Sequence, residues 1–215
     1  MNTHVDKASD PLSCLHRHIV DCSVSVVGRD SAVHCSFSSG QVRRGLECGS
    51  KMDESAVIIR EARREDCQSI INLSKEIANF HKHFNSPQVD AKVLERDTFD
   101  LECPNMGFYV AVIDNTVIGY AHYYYTYTVR LGRNMCLQDL YVQEKFRNHR
   151  VGDKLMHAIA KKAVEQNVDK MEFIVTDWNR AKSFYKRKGA IDYTEKENFH
   201  LYLFDKAALE KMASA

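Results

Sequence analysis

Regular spacing of apolar and polar positions begins at about residue 56 and continues through the rest of the chain. Short apolar runs predict strands at 57–59, 107–113, 117–127, 135–142, 171–176 and 199–204. Asp114-Asn115-Thr116 separates the second run from the third, which predicts a hairpin. Apolar positions three or four residues apart predict two amphipathic helices, the first through Cys67, Ile70, Ile71, Ile77 and Ala78, the second through Val151, Leu155, Met156, Ile159 and Ala163.

Further signals indicate where helices begin and end. Glu65 or Asp66 precedes the first helix, where its negative charge interacts favourably with the positive end of the helix dipole. A helix from about Arg180 is expected to stop at Gly189, and Asp205 is suited to cap a last short helix. The order β-α-β-β-β-α-β-α-β predicts an α/β fold of the mixed α+β kind, with helices on both faces of a central mixed sheet.

Residues 1–55 lack this regularity. They are rich in serine, carry scattered histidine and cysteine, and show no sustained strand or helix period. Such a segment buries too little apolar surface to offset its chain entropy. We therefore expect a disordered N-terminal extension over 1–55 and one folded domain over 56–215, and Met52 leaves open a shorter product that starts there.

The overall charge and the apolar runs argue against several classes of partner. A formal net charge of +1 gives no reason to expect nucleic acid or an anionic membrane. No apolar stretch is long enough to span a bilayer, and charged residues interrupt the first 25 positions, which argues against a secretion signal. Cys14, His16, His18 and Cys22 are of the residue types that bind zinc, but their segment has no apolar scaffold to hold four ligands in place. We expect a cytoplasmic protein without a metal site.

A candidate ligand-binding site occurs where the strand 135–142 leads into the basic loop 143–150 and then into a helix. The first turn of a helix presents unpaired backbone N–H groups, so such a loop is suited to hold a pyrophosphate, with Arg147 and Arg150 adding charge. An ordinary strand–helix junction has the same pattern. A second candidate element is Asn179 with Tyr185, although Tyr185 also fits a ring packed under the sheet.

In combination these segments resemble the GNAT superfamily of N-acetyltransferases, and in particular the spermidine/spermine (diamine) N-acetyltransferases. The resemblance extends from about Val57 to Met212, and several motifs occur in the family's order and spacing. These motifs are Ile58-Ile59-Arg60-Glu61-Ala62, Asp66-Cys67, Tyr123 to Tyr127, Leu137 to Val142, Trp178-Asn179, Phe184 to Ala190 and Asp205-Lys206. The resemblance implies the GNAT fold with a mostly antiparallel sheet, acetyl-CoA as co-substrate, a small diamine, polyamine or lysine-like amine as acceptor, and a homodimer.

The resemblance also implies roles for individual residues. The backbone of Leu140, Tyr141 and Val142 would hold the pantetheine arm like an added strand. The pyrophosphate would lie in the loop and helix start formed by Arg147, Asn148, His149, Arg150, Val151, Gly152 and Asp153. Further cofactor contacts would come from Asn179, Arg180, Ala181 and Tyr185. Tyr185 would be the general acid toward the leaving thiolate in a direct attack by the amine.

The chain also departs from the family pattern. Arg150 stands where the family's glycine lets the backbone approach the phosphates. The implied substrate residues are Phe80, His81, Gln138, Asp139 and Glu197, of which only Asp139 and Glu197 keep the usual carboxylates. Thr128 also replaces an acid and Arg130 an aromatic residue, so we expect an amine with fewer positive charges than spermine, or one with a carboxylate that Arg130 meets.

Gln138 takes the place of the carboxylate thought to help deprotonate the amine, and Asp139, His81 and Glu197 remain alternatives for that role. Asp139 is placed with Tyr185 among the catalytic candidates. Two other functions stay open: a degenerate domain that binds acyl-CoA or a protein partner without turnover, and an acetyltransferase acting on protein lysines or N-termini.

Overall fold

A computed structural model describes residues 56–81, 87–198 and 200–214. The expectation of disorder over 1–55 lies outside the described residues. The described chain forms two compact units, one that ends at Ala181 and one that begins at Lys182. No helix in the described ranges is long and apolar enough to cross a membrane.

The first unit is built on a five-stranded sheet in which the strands follow one another in chain order. The strands are β1 (Ile58–Glu61), β2 (Met106–Ile113), β3 (Thr116–Thr128), β4 (Gly132–Val142) and β5 (Met171–Glu172). β1 to β4 pair antiparallel, and β5 pairs parallel to β4. The prediction of a mixed, mostly antiparallel sheet is confirmed.

The predicted hairpin joins β2 to β3. Asp114 and Asn115 both have positive φ, 45° and 60°. Two consecutive left-handed residues match the right-handed twist of the flanking strands, and Asn and Asp tolerate this backbone better than most residues.

Helix α1 (Cys67–His81) and helix α3 (Val151–Glu165) lie on opposite faces of this sheet. The apolar side of α1 joins a buried cluster with Val110 and Tyr120. On α3, Lys162 contacts Glu61 at 2.8 Å, and the same carboxylate oxygen accepts from Tyr109 at 3.2 Å. Because Tyr109 and Val110 are successive residues of β2, their side chains point to opposite faces.

The apolar positions predicted for both helices are all buried. Two elements were not predicted between α1 and β2, namely helix α2 (Ala91–Glu95) and the π-helical turn Arg96–Asp100 that continues it. Asp90 begins α2 by accepting a hydrogen bond from the Val93 amide at 2.9 Å. Each segment is five residues long, too short for a helical period to stand out in the sequence.

The second unit contains three short helices, α4 (Lys182–Arg187), α5 (Tyr193–Glu197) and α6 (Lys206–Ala213). Gly189 follows α4 with φ of 91°, as expected for the residue that ends a helix. Asp205 caps α6 by accepting from the Ala208 amide at 2.8 Å. Both predicted signals are confirmed.

One strand prediction is wrong, and another is too long. Residues 200–204 form no strand, and the described part of the second unit has no other strand with which this segment would pair. Leu201, Tyr202, Leu203 and Phe204 are exposed. The strand predicted over 171–176 extends only over Met171–Glu172, because its pairing with β4 ends at Cys136.

Candidate active site at the bulge of β4

A bulge interrupts β4 next to the point where it leaves β5. His122 lies opposite Asp139, whereas Tyr123 lies opposite Leu137, so Gln138 is the extra residue. A bulge bends its strand and redirects the neighbouring side chains. From Gln138 to Val142, no strand in the described ranges pairs with the β5-facing edge of β4. The bulge therefore leaves a row of strand backbone groups open to an extended ligand.

Three polar side chains meet beside this bulge. The Tyr120 hydroxyl donates to Oδ2 of Asp139 at 3.1 Å, and Nδ1 of His122 lies 3.8 Å from the same oxygen. Burial, and then the Asp139 charge, raise the pKa of Tyr120 well above its usual value. Tyr120 therefore stays a proton donor that orients Asp139.

The bulge also leaves a buried acceptor without a partner. Oε1 of Gln138 is buried and has no hydrogen-bond partner among the described residues. Buried amide oxygens are normally paired, so this acceptor at the bulge is an exception. Gln138 and Asp139 were both predicted as site residues, and the structure places both at the bulge.

The end of β4 is tied to α1 and to the following loop. Glu76 accepts from the Tyr141 hydroxyl at 2.7 Å and from Nε2 of Gln143 at 3.0 Å. Nε of Arg147 donates to the Val142 carbonyl at 2.9 Å. Arg147 thus uses Nε to hold the strand end. Burial, then the bond to Glu76, raise the pKa of Tyr141.

The loop before α3 contains two residues in the left-handed backbone region, and the second of them directly precedes the helix. Asn148 and Arg150 have φ of 66° and 54°, and Arg150 is the residue that precedes the first turn. The Arg150 side chain makes no capping hydrogen bond. A Cβ placed on Gly152 would meet nothing within 4 Å, so open space lies beside the first turn of α3. Of the other predicted loop residues, Val151 is buried, and His149 and Asp153 are partly exposed.

The segment after β5 contains the three predicted cofactor contacts Asn179, Arg180 and Ala181. Oδ1 of Asn179 accepts from the Ala181 amide at 2.9 Å, and both residues are buried. Nδ2 of Asn179 is buried with no hydrogen-bond partner among the described residues, while Arg180 is exposed. Next to Asn179, Trp178 packs on Phe80 of α1 with the ring centroids 5.5 Å apart.

The remaining predicted residues fall elsewhere. Thr128 and Arg130 lie at the exposed turn between β3 and β4, where the Thr128 hydroxyl accepts from Asn134 at 3.3 Å. His81 is the last residue of α1. In the second unit, Tyr185 is buried on α4 against Phe184, and Glu197 ends α5 beside Lys196 at 3.3 Å.

Sequence reasoning missed three residues of this region, Glu76, Tyr120 and His122. Tyr120 and His122 are on β3 and reach Asp139 only through the pairing of β3 with β4. Glu76 is on α1 and meets Tyr141 only because α1 packs over that end of the sheet. Neither set of contacts can be deduced from a local sequence pattern. The alternation of side chains along β3 does place Tyr120 and His122 on one face.

The chain belongs to the acetyltransferase (GNAT) family, whose model matches residues 74–190. It is an N-acetyltransferase, as are the curated relatives that it matches. The bovine (Bos taurus) thialysine N-epsilon-acetyltransferase is 34% identical over 166 residues, which is 73% of this chain and 97% of the bovine protein. The human (Homo sapiens) spermidine/spermine N(1)-acetyltransferase-like protein 1 is 29% identical over 165 residues, covering 72% of this chain and 23% of the human protein.

Solved structures show the same fold. An integron cassette protein from the mobile metagenome of V. cholerae has a TM-score of 0.61 at 23% identity and covers 74% of this chain and 99% of its own. An aminoglycoside acetyltransferase from an uncultured soil metagenomic sample, solved in complex with sisomicin, has a TM-score of 0.55 at 17% identity, covering 71% of this chain and 99% of its own. At these identities the likeness extends to the fold alone.

Proposed function

We propose that this chain transfers the acetyl group of acetyl-CoA to the primary amine of a small diamine or a lysine-like amino acid. The observation that carries the proposal is the bulge of β4, which leaves the strand edge from Gln138 to Val142 open beside an oriented carboxylate, Asp139. Relatives named thialysine N-epsilon-acetyltransferase and spermidine/spermine acetyltransferase-like protein support an amine of this size.

Acetyl-CoA fits the residues that flank this strand edge. The backbone of Leu140, Tyr141 and Val142 would pair with the amide groups of the pantetheine arm, as an added strand does. The anionic pyrophosphate would lie at the open first turn of α3, because helix N-termini bind anions. The groups there are Arg147, Asn148, His149, Arg150, Val151, Gly152 and Asp153. Asn179, Arg180 and Ala181 complete the set, and Nδ2 of Asn179 is a buried donor suited to a cofactor oxygen.

Acetyl transfer needs a neutral amine and a protonated leaving group. The amine nitrogen attacks the thioester carbonyl, so that the C–N bond forms, the C–S bond breaks and the electron pair leaves with sulfur. The amine gives up a proton, and the thiolate gains one. Tyr185 is assigned the second transfer from the resemblance to the family, since a phenol O–H is able to donate a proton to a thiolate. Asp139 is assigned the binding of the amine through its oriented Oδ2.

The same residues favour an acceptor with few charges. Among the implied substrate positions Phe80, His81, Gln138, Asp139 and Glu197, two carry carboxylates. A polyamine with several ammonium groups needs several carboxylates for charge compensation in a partly desolvated site. We therefore rank a short diamine or a lysine-like amine above spermine.

We further propose that residues 56–215 form one catalytic domain of a cytoplasmic homodimer.

The test is CoA-thiol release by the purified full chain with acetyl-CoA and putrescine, spermidine, spermine, lysine or thialysine. We expect turnover with at least one amine and a lower kcat/KM for spermine than for thialysine. Tyr185→Phe should lower kcat about 100-fold or more while acetyl-CoA still binds. Acetyl-CoA binding without turnover by the wild-type chain would instead identify a binding module, and a preference for spermine would overturn the ranking alone.

A further inference from the structure

The acetyl transfer proposed above requires a group that takes the proton of the incoming amine. Gln138 ends in an amide, which does not act as a base near neutral pH. Carboxylates ordinarily have pKa values well below neutral pH, whereas imidazoles ordinarily change charge between about pH 5 and 8. A histidine close to the amine-binding carboxylate would therefore match the task better than the carboxylate itself.

His122 occupies that place. It lies directly opposite Asp139 in the β3–β4 pairing, one residue from the bulge. Its ring is stacked on Phe108 with the centroids 4.2 Å apart and the planes 11° from parallel, and its side chain is 18% exposed. Stacking fixes the ring plane, and in this plane Nδ1 lies 3.8 Å from Oδ2 of Asp139.

The two ring nitrogens differ in access. Nε2 is buried and has no hydrogen-bond partner among the described residues. Nδ1 faces Asp139, whose side chain is 21% exposed. The gap of 3.8 Å is too long for a direct hydrogen bond but leaves room for one N–H group to approach both acceptors. Nδ1 is therefore the nitrogen that can exchange a proton with a bound amine.

We propose that His122 is the proton acceptor of the reaction, with Asp139 as the amine-binding partner. This inference rests on the function proposed above. The ammonium group of the acceptor donates to Oδ2 of Asp139 and to Nδ1 of His122. One ammonium proton moves to Nδ1, the nitrogen keeps its electron pair, and that pair attacks the thioester carbonyl. The second N–H proton is lost as the C–S bond breaks, and it is balanced by the proton that the leaving thiolate gains. The imidazolium formed then lies beside the carboxylate of Asp139, which stabilises it.

Among the described residues, few other ionisable groups surround His122. Tyr120 donates to Asp139 and has a raised pKa, so it stays neutral. The Tyr124 ring lies 6.5 Å from His122, and Phe108 of β2 brings no charge. From α1, the Glu76 carboxylate is bound to Tyr141, two residues beyond Asp139 on the same strand, and to Gln143. Asp139 is thus the charged group that faces the imidazole.

The experiment is the pH dependence of kcat/KM for thialysine from about pH 5.5 to 8.5, with CoA-thiol release as the readout. The variants are His122→Gln, which keeps a polar side chain, and His122→Phe, which keeps the ring that stacks on Phe108. The matched control is His157→Ala, an exposed histidine on α3. Thermal unfolding of each variant checks the fold, and KM for acetyl-CoA checks the cofactor site.

We expect both His122 variants to lose about 100-fold or more in kcat/KM. They should also lose the acid limb of the wild-type profile, with KM for acetyl-CoA unchanged, while His157→Ala keeps the wild-type profile. A third variant, His122→Ala, removes the ring altogether, and added imidazole should restore part of its rate. A His122 variant that keeps its rate, or that keeps the acid limb while it loses rate, overturns the inference and leaves the proposed function standing. Absence of turnover by the wild-type chain with every amine would overturn both.

Discussion

The Tyr141 hydroxyl donates to Oε2 of Glu76 at 2.7 Å and so joins the strand that carries the bulge to the helix above it. The other oxygen of Glu76 accepts from Gln143 at 3.0 Å, just past the end of that strand. One carboxylate therefore holds two successive points of β4 and its following loop. This contact fixes the position of the strand edge assigned to the pantetheine arm.

Removal of this carboxylate should weaken both the fold and cofactor binding. Glu76→Ala leaves two part-buried donors without an acceptor, so we expect a loss of about 1–3 kcal/mol in the free energy of unfolding. Tyr141→Phe removes one partner of the same bond and should cost about 1 kcal/mol. Urea unfolding measures both, and KM for acetyl-CoA should rise in Glu76→Ala. Equal stability of Glu76→Ala and the wild type would contradict a structural role for this carboxylate.

A second prediction concerns the ion pair at the start of α1. Asp66 is buried and accepts from Arg60 at 2.6 and 3.0 Å and from the Arg63 amide at 2.7 Å. Burial alone would raise the pKa of Asp66, but these bonds outweigh burial and hold its pKa below the usual value. Because Arg60 is partly exposed, we expect Asp66→Asn to cost about 2 kcal/mol, less than a fully buried pair would.

The sign of the pH dependence follows from the lowered pKa of Asp66. Its contribution to stability is complete above the unfolded-state pKa of about 3.9 and is lost as the pH falls through the lower folded-state pKa. The stability difference between wild type and Asp66→Asn should therefore be constant near neutral pH and shrink below about pH 4. Asp97→Asn, at an exposed pair with Arg96, is the control and should leave stability unchanged. A difference that grows toward low pH would show that the sign is wrong.

A third prediction separates the backbone of Arg150 from its charge. At φ of 54° the residue is in the left-handed region, which glycine adopts without strain. Arg150→Gly should raise the free energy of unfolding by up to about 1 kcal/mol. It should also weaken acetyl-CoA binding about threefold, because a cation near the pyrophosphate is lost.

The control for this pair of effects is Asn148→Gly, which changes a residue with φ of 66° and removes no charge. It should alter stability less, since asparagine tolerates this backbone, and should leave acetyl-CoA affinity unchanged. The affinity loss in Arg150→Gly should shrink in 0.5 M salt, as screening of an exposed charge requires. Tighter acetyl-CoA binding by Arg150→Gly would mean that the side chain crowds the site.

A fourth prediction concerns Asn179. Its Oδ1 holds the Ala181 amide, while its buried Nδ2 has no partner among the described residues. Asn179→Ala should lower stability by about 1–2 kcal/mol and raise KM for acetyl-CoA more than tenfold, because both a backbone bond and a cofactor donor are lost. Asn72→Ala, an exposed asparagine on α1, is the control. An unchanged KM in Asn179→Ala would remove Asn179 from the cofactor site.

Several features of the fold were predictable because their causes are local. The apolar stripe of α3, the left-handed pair Asp114–Asn115, the stop at Gly189 and the cap at Asp205 each depend on residues within a few positions of one another. The strand predicted over 199–204 failed for the opposite reason. An apolar run shows that a strand is possible, but a strand forms only where a neighbour pairs with it.

The amino-acid sequence by itself determined the places of the main helices and strands, and its ordered motifs identified the N-acetyltransferase family. Only the tertiary structure decided that Gln138 is the extra residue of a bulge and that His122 faces Asp139. The physical reason is that strand register is a relationship between segments distant in the chain. Hydrogen bonds and packing across the whole sheet select it, and a one-residue shift would place different side chains opposite each other.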